Sequence, residues 1–217
     1  GADGYLFYVD PSTAHGAGVG VVGNSGRAPD ESFLTLQAAI DSCRHNHGDK
    51  IVCKHGTQTV TSTVSFNKRG ITVTTEGTGY GYNTGERFML YGPADAPAAT
   101  ITEPCSIFGM GFAGLYTGSG SHNVLIHGLG GGFFGGYIAI RYCRFATWGV
   151  SPDYALLCQG MTNADISFNV FDGGYDTYAV GAIGFLLLML WTSNDLKVGA
   201  VTAGGFAGGL LVFALAA

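Results

Sequence analysis

The sequence predicts an all-β solenoid, in which each circuit of the chain lays its strands on those of the circuit before it. The first observation is a six-residue signature, Ile-x4-Phe, that occurs at residues 107–112, 140–145 and 166–171. Its isoleucines lie 33 and 26 residues apart, a spacing too long for a hairpin meander and typical of one solenoid circuit. The second observation is that short β-branched segments alternate with Gly and Asn turns, whereas one segment alone has strong helical periodicity.

The composition is that of a folded chain with little charge. Of 217 residues 37 are Gly, without a Gly-X-Y period, and 47% are hydrophobic, which argues against collagen and against disorder. Charged residues make up 12%, against about 25% in an average domain, so much of the surface is expected to be buried in the protein, a partner or a membrane. The net charge of −5 and the absence of a basic run longer than Lys68-Arg69 argue against nucleic acid as a partner.

Residues 1–48 are predicted to form a strand, a loop and a capping helix. Residues 6–9 favour a strand that ends at Asp10-Pro11, and residues 11–29 are a loop rich in Gly and Ser. The helix is expected over residues 31–45, with Asp30 or Ser32 as its N-cap and Gly48 just beyond its end. One face of this helix is apolar, formed by Phe33, Leu36, Ile40 and Cys43.

Residues 49–217 are predicted to form the solenoid itself. The segments that favour strands are 51–53, 59–61, 63–66, 71–74, 124–126, 138–140 and 155–157, together with those that begin at Ile107 and Ile166. A turn is expected at His55-Gly56, and residues 75–100 are expected to form a longer excursion rich in Gly and Pro.

Four short segments near the N-terminus form a recognisable order. They are Leu36–Asp41 (LQAAID), Gly48–Ile51 (GDKI), Gly56-Thr57 and Gly70–Val73 (GITV). This order resembles the opening of pectate-lyase-like right-handed parallel β-helix proteins, in which a capping helix leads into the first strands. The resemblance covers about a third of the chain well.

The sequence departs from that family at two positions. His55 stands where the family often has Pro, and Gln58 where it often has an aromatic residue. The resemblance implies a right-handed parallel β-helix whose open end is covered by the amphipathic helix. The family includes polysaccharide lyases and hydrolases, phage tailspikes and other virion surface proteins, so function has to be argued from a site.

If the chain is a polysaccharide lyase or glycoside hydrolase, its carboxylates should cluster on one face beside a basic residue. The candidates are Asp153, Asp165, Asp172, Asp176, Arg141 and Arg144. The alternative interpretation is turn chemistry, because Asp next to Gly commonly bonds to nearby backbone N–H groups in loops. We favour the alternative, and we assign no catalytic residue.

A metal site is the next candidate, because Cys43, His45, His47, Cys53 and His55 lie within 13 residues and have ligand types that suit zinc. However, Cys43 lies on the apolar face of the predicted helix and Cys53 lies within a strand. No metal and no other cofactor is therefore expected. The five cysteines are irregularly spaced, so we expect no disulfide framework, and Cys143 and Cys158 are expected to be buried thiols.

The C-terminal segment, residues 178–217, leaves three interpretations open. It holds two long apolar runs, residues 178–191 and 198–217, which would suit a membrane hairpin, a subunit interface or the last solenoid circuits. The paired glycines and the scarcity of basic flanks argue against the membrane. Because a solenoid usually ends in a polar cap, we expect the chain to be incomplete or to be completed by a partner.

The low charge, the apolar surface to be buried and the lack of a recognisable catalytic cluster favour a non-catalytic structural protein. The family resemblance implies that it lies at the surface of a virus particle, either as a phage capsid decoration (cement) protein or as a spike. The resemblance also implies a homotrimer, because β-helix surface proteins of that family commonly stand as three parallel columns. Its expected partners are the major capsid protein or another virion protein, with a surface glycan as a further candidate ligand. The alternatives are a polysaccharide lyase or glycoside hydrolase and a membrane-attached surface protein.

Overall fold

The computed structural model describes residues 4–11, 20–76, 87–127, 137–147, 151–159, 163–172, 175, 178–183, 188–192, 195–196, 205–207 and 213–214. Within them the protein is almost entirely β-strand, with one α-helix, α1 (Leu36–Ser42), and one 3-10 turn (Pro29–Glu31). The all-β class is therefore confirmed.

The strands are β1 (Leu6–Val9), β2 (Lys50–Cys53), β3 (Gly56–Thr59), β4 (Val64–Phe66), β5 (Thr72–Thr75), β6 (Phe88–Tyr91), β7 (Ala99–Ile101), β8 (Ser106–Phe108), β9 (Gly111–Gly114), β10 (His122–His127), β11 (Tyr137–Arg141), β12 (Arg144–Thr147), β13 (Tyr154–Gln159), β14 (Asn163–Ser167), β15 (Val170–Asp172), β16 (Tyr178–Ile183), β17 (Leu188–Thr192), β18 (Asp195–Leu196), β19 (Gly205–Ala207) and β20 (Phe213–Ala214).

The strands form three parallel sheets that the chain visits in rotation. The first sheet has the order β1-β2-β5-β8-β11-β14-β17-β20, the second β3-β6-β9-β12-β15-β18 and the third β4-β7-β10-β13-β16-β19. From β2 onward, each strand therefore pairs with the strand three positions along the chain. Parallel strands need a crossover connection, and here the other two sheets provide it.

The Ile-x4-Phe signature marks two of the side-chain ladders of the core. Ile140 pairs in register with Ile107 and with Ile166 in the first sheet. Phe145 pairs in the same way with Phe112 and with Phe171 in the second. All six side chains are almost fully buried. The equivalent positions of the signature therefore align from one circuit to the next, as its repeat spacing predicts for a solenoid.

The phenylalanine ladder packs as a column of stacked rings. The ring centroids of Phe112 and Phe145 are 5.6 Å apart, and those of Phe145 and Phe171 are 5.0 Å apart at an interplanar angle of 6°. A buried Phe contributes roughly 1.5–3 kcal/mol by removal from water, and each aromatic contact adds about 0.5–1.5 kcal/mol. The ladder therefore holds neighbouring circuits in register as well as burying apolar surface.

The corner between the first and second sheets is two residues long in three successive circuits: Gly109-Met110, Tyr142-Cys143 and Phe168-Asn169. The first residue of each corner has a positive φ, 72°, 57° and 56° respectively. Bulky residues rarely adopt this conformation. The rings of Tyr142 and Phe168 stack with centroids 5.1 Å apart, which offsets part of the strain.

The helix is shorter than the sequence predicts and begins later. It is capped by Thr35, whose side chain accepts a hydrogen bond from the Ala38 N–H, and neither Asp30 nor Ser32 is its N-cap. Phe33 lies before the helix because its backbone N–H donates to Tyr8 and its carbonyl accepts from Asp10, which keeps it extended beside β1.

The predicted apolar face of the helix is buried at Leu36, Ile40 and Cys43, whereas Phe33 lies before the helix and is only partly buried. Leu36, Ala39 and Ile40 are fully buried, and the helix contacts β1, β2 and β4, which are early strands of the first and third sheets. Since β2 contains Ile51 and Val52, the helix lies against the start of the first sheet.

Two predictions about the strands are wrong. The segment 59–61 is not a strand, because β3 starts at Gly56 and ends at Thr59, and residues 60–63 form the corner that leads to β4. Residues 75–100 are not a continuous excursion, since they contain β6 and the start of β7. These two strands are apolar but short, and the Gly and Pro residues around them made the whole segment resemble a loop in the sequence.

The C-terminal segment, residues 178–217, contributes β16 to β20, which continue the three sheets. The backbone of this segment therefore agrees with the interpretation that it forms the last circuits of the solenoid. The side chains of the apolar stretch 185–191 lie outside the described residues. No helix in the described part of the chain is long and apolar enough to cross a membrane.

Candidate functional site

Asp165, on the first sheet, is the most strongly coordinated of the predicted site residues. One of its oxygens, Oδ2, accepts hydrogen bonds from the Tyr137 hydroxyl at 2.8 Å and from Arg141 Nε at 2.6 Å. A second nitrogen of Arg141 contacts the same oxygen. The strand register explains the cluster, because Ala139 of β11 is paired with Asp165 of β14, and the alternate residues 137 and 141 flank it on the same face.

The carboxylate of Asp165 is held ionised. Burial alone would raise its pKa, but hydrogen bonding by Ser167, Arg141 and Tyr137, together with the charge of Arg141, outweighs burial and lowers the pKa below its usual value. The side chain of Asp165 is 1% exposed, whereas that of Arg141 is 37% exposed. Its second oxygen, Oδ1, is buried without a hydrogen-bond partner within the described residues.

A second ion pair, between Arg144 and Asp172, lies on the second sheet. Arg144 of β12 donates to Oδ2 of Asp172, which lies on β15 of the next circuit. The Tyr175 side chain nearby is buried, and this burial raises the pKa of its hydroxyl well above the usual range. This pair crosslinks two circuits in the same way as the pair of Asp165 and Arg141.

Asp153 lies directly before β13, a strand of the third sheet, and does not form an ion pair with an arginine as Asp165 and Asp172 do. Its Oδ2 accepts a hydrogen bond from the backbone N–H of Gly120, and its own N–H donates to the Ser121 hydroxyl at 3.0 Å. Asp153 therefore ties the loop before β13 to the loop before β10. These bonds join two circuits, since Gly120 and Ser121 precede Asp153 by 33 and 32 residues. They therefore differ from the local turn chemistry that the sequence offers as the alternative to a catalytic role.

The structure thus distributes the predicted site residues over three places. Asp165 with Arg141 is on the first sheet, Asp172 with Arg144 on the second, and Asp153 in a loop before the third. Asp176 lies outside the described residues. Each of the three described carboxylates is bonded to a group of the preceding circuit, so the observed bonds hold circuits together.

Tyr137 and Ser167 belong to the Asp165 cluster but are not among the residues that the sequence picks out. The repeat itself carries the missing signal. Aligning Ile140 with Ile166 places Ala139 beside Asp165, and the period of two in a strand then brings residues 137 and 141 to its sides. Tyr137 is 51% exposed, so it opens this cluster to solvent together with Arg141.

The candidate metal ligands do not converge either. No group of three His, Cys, Asp or Glu side chains within the described residues could hold a metal ion. Cys43 and Cys53 are buried in the core, and burial raises the pKa of the Cys43 thiol to about 12. His47 lies instead beside Asp49, with its Nδ1 2.5 Å from Oδ1 of Asp49. A protonated thiol in the core is a poor zinc ligand.

All five cysteines are free and buried, including Cys143 and Cys158 as predicted. Burial raises the pKa of both thiols to about 12. Such thiols pack as small apolar groups and react slowly.

The comparisons with known proteins give no family for the chain. No family model, no curated protein and no solved structure matches it.

Proposed function

We propose that the chain is a right-handed parallel β-helix and acts as a non-catalytic structural protein at the surface of a virus particle, as a phage decoration (cement) protein or a spike. The rotation of the chain through three parallel sheets supports the fold. The virion role rests on the resemblance of the segments between Leu36 and Val73 alone, whereas the low charge of the whole chain supports a structural role.

The observation that favours a structural role over catalysis is that the carboxylates bond to neighbouring circuits of the chain. Asp153, Asp165 and Asp172 each bond to a group of the preceding circuit, and their partners lie on different sides of the molecule. A glycosidase needs two carboxyl groups about 5–10 Å apart in one cleft, with one free to exchange a proton. An aspartate that is bonded to an arginine suits the stabilisation of the stack better.

The assembly that we propose is a homotrimer bound to the major capsid protein or another virion protein. A chain with 12% charged residues and apolar runs at 178–191 and 198–217 has apolar surface to bury beyond its own core. Obligate interfaces are of this kind. A glycan is a further candidate ligand of the exposed aromatic side chains.

Particles purified on a density gradient from the organism that encodes the chain test the virion role. We expect mass spectrometry to detect the chain in the particle fraction in a fixed ratio to the major capsid protein, also after a high-salt wash. A chain that remains in the soluble fraction, or that the wash removes completely, would contradict the proposal.

A polysaccharide lyase or glycoside hydrolase remains the second candidate, because one observation favours it. Asp165 is ionised beside Arg141 and the exposed Tyr137 hydroxyl, and its Oδ1 has no hydrogen-bond partner within the described residues. We expect acidic and neutral glycans to survive incubation with the purified chain. Cleavage that is lost in Asp165→Asn or Asp172→Asn, but kept in the exposed control Asp95→Asn, would instead establish the enzyme.

A further inference from the structure

The first strands of the three sheets differ in how their outer edges are covered. An edge strand exposes unpaired N–H and C=O groups, which proteins usually protect. Residues 26–33 protect β1, since Tyr8 donates its N–H to the Gly26 carbonyl at 2.8 Å and accepts from the Phe33 N–H at 2.8 Å. The edge of the first sheet is therefore closed by the chain itself.

The helix protects β4, the first strand of the third sheet, through one side chain. Oε1 of Gln37 accepts from the Ser65 N–H at 2.8 Å, and Nε2 of Gln37 donates to the Ser65 carbonyl at 3.4 Å. The side-chain amide thus stands in for the peptide group of a neighbouring strand.

The first strand of the second sheet, β3, has no such cover in the described part of the chain. Gly56 and Val60 donate their N–H groups to carbonyls of the next circuit, Arg87 at 3.0 Å and Tyr91 at 2.9 Å. In a parallel strand the alternate residues direct their backbone groups to the opposite side. Thr57 and Thr59 therefore direct theirs to the open edge, and their side chains are exposed.

Gln58 lies between these two threonines, and its side-chain Nε2 is available to donate a hydrogen bond. It stands at the end of the inward ladder of the second sheet, in register with Leu90, where a glutamine replaces the apolar side chains of later circuits. Its Oε1 accepts from the Leu36 N–H at 3.0 Å, which identifies the other amide atom as the nitrogen. Gln58 is 8% exposed, and its Nε2 has no partner within the described residues.

This side chain lines a groove of about 250 Å³ beside β3. The other lining residues are Thr35, Gln37 and residues 59–64, and none of the lining residues is charged. We name it the β3 edge groove. It combines the side-chain amide of Gln58, several hydroxyl groups and the open backbone of Thr59.

We propose that the β3 edge groove binds an extended, uncharged peptide segment of another polypeptide, which adds to the second sheet as a strand parallel to β3. A peptide offers alternating carbonyl and N–H groups at the spacing of a strand, which matches Thr57 and Thr59. One of its acceptors meets Nε2 of Gln58, and the lack of charge in the lining favours uncharged side chains. The inference does not depend on the virion role.

The test uses the full chain, labelled with ¹⁵N, and a capped synthetic peptide with the sequence of residues 56–62. This peptide would lie on β3 as one more circuit, with its glutamine on Gln58, since identical amide side chains form ladders. We expect hydrogen exchange of the Thr57 and Thr59 amides to slow by about tenfold or more at saturating peptide. The Val60 amide should not change, because it already donates to Tyr91.

Two N-methylated versions of the peptide, one for each alternate set of residues, serve as the matched controls. Pairing as a strand requires that one version loses binding and the other keeps it. In the protein, Thr59→Pro removes the N–H at the open edge and should abolish binding. Val22→Ala changes a side chain outside the groove that is 84% exposed, and this variant should bind as the unmodified chain does. If Thr59→Pro does not fold, the difference in binding between the two N-methylated peptides tests the proposal by itself.

Three results would overturn the proposal. They are unchanged exchange at Thr57 and Thr59, equal binding of both N-methylated peptides, and a response of the Gln58 side-chain amide to maltotriose but not to the peptide. The last result would assign the groove to a neutral sugar.

Discussion

Asp165 stabilises the fold in its ionised form, and this fixes the direction of its pH dependence. Its pKa in the folded protein is lowered, despite burial, by hydrogen bonds from Ser167, Arg141 and Tyr137 and by the charge of Arg141. An unfolded Asp titrates at about 3.9. The stabilisation is therefore present above that pH and is lost as the pH falls through it towards the lower pKa of the folded state.

Replacement of this residue, Asp165→Asn, should accordingly lower the free energy of unfolding at pH 6 by about 1–3 kcal/mol, the usual worth of hydrogen bonds to a charged group. The cost should shrink as the pH is lowered to 3, because the wild type then loses the same interaction. Urea unfolding followed by circular dichroism between pH 6 and 3 measures both. Asp95→Asn, in an exposed loop, is the control, and a cost at Asp165 that does not vary with pH would contradict the mechanism.

The sequence predicts Asp165 and Arg141 as candidates, but it does not predict what they do. Clustered aspartates look alike in a sequence whether they cleave a glycan or crosslink two circuits. Their role depends on register, because a shift of one residue would move Asp165 to the core face. Only the pairing of Ala139 with Asp165 makes Arg141 and Tyr137 its partners.

At the scale of secondary-structure elements, the ladders determine the register of the sheets. Ile140 is 1% exposed and lies between Ile107 and Ile166. Ile140→Ala should lower the free energy of unfolding by about 2–5 kcal/mol, because it removes buried methyl groups and leaves a cavity between two circuits. Thermal and urea unfolding measure this cost.

The matched control is Val22→Ala, at a side chain that is 84% exposed. It should change the free energy of unfolding by less than about 0.5 kcal/mol. Equal costs at positions 22 and 140 would mean that the isoleucine ladder does not hold the circuits together.

The helix shows where prediction from sequence ends at this scale. The apolar spacing of Leu36, Ile40 and Cys43 predicts the buried face, because periodicity is a local property of the chain. The start of the helix is not local, since Phe33 is held extended by backbone bonds to Tyr8 and Asp10. The same holds for Gln58, whose place at the end of a ladder follows from a sheet that the chain completes many residues later.

The Ile-x4-Phe repeat predicts the stacking of the whole molecule, since three occurrences already imply equivalent circuits. The repeat says nothing of the outer surface, where partners bind. That surface combines exposed Tyr137 and Phe168 with the open edge of β3. The ends of a solenoid and its outer faces are not constrained by the repeat, so their roles have to come from measurement.

The homotrimer is the prediction that concerns the whole molecule. A chain with 12% charged residues and some 40 nearly charge-free residues at its end should bury a subunit interface of more than about 2,000 Å², as obligate oligomers do. Light scattering after size exclusion should therefore give about three times the chain mass of 22.5 kDa at all concentrations that can be measured. Hydrogen exchange should be slow in residues 178–217 of the trimer. A stable monomer in which this segment exchanges just as slowly would show that the apolar end serves the core of its own subunit, and the trimer would then be ruled out.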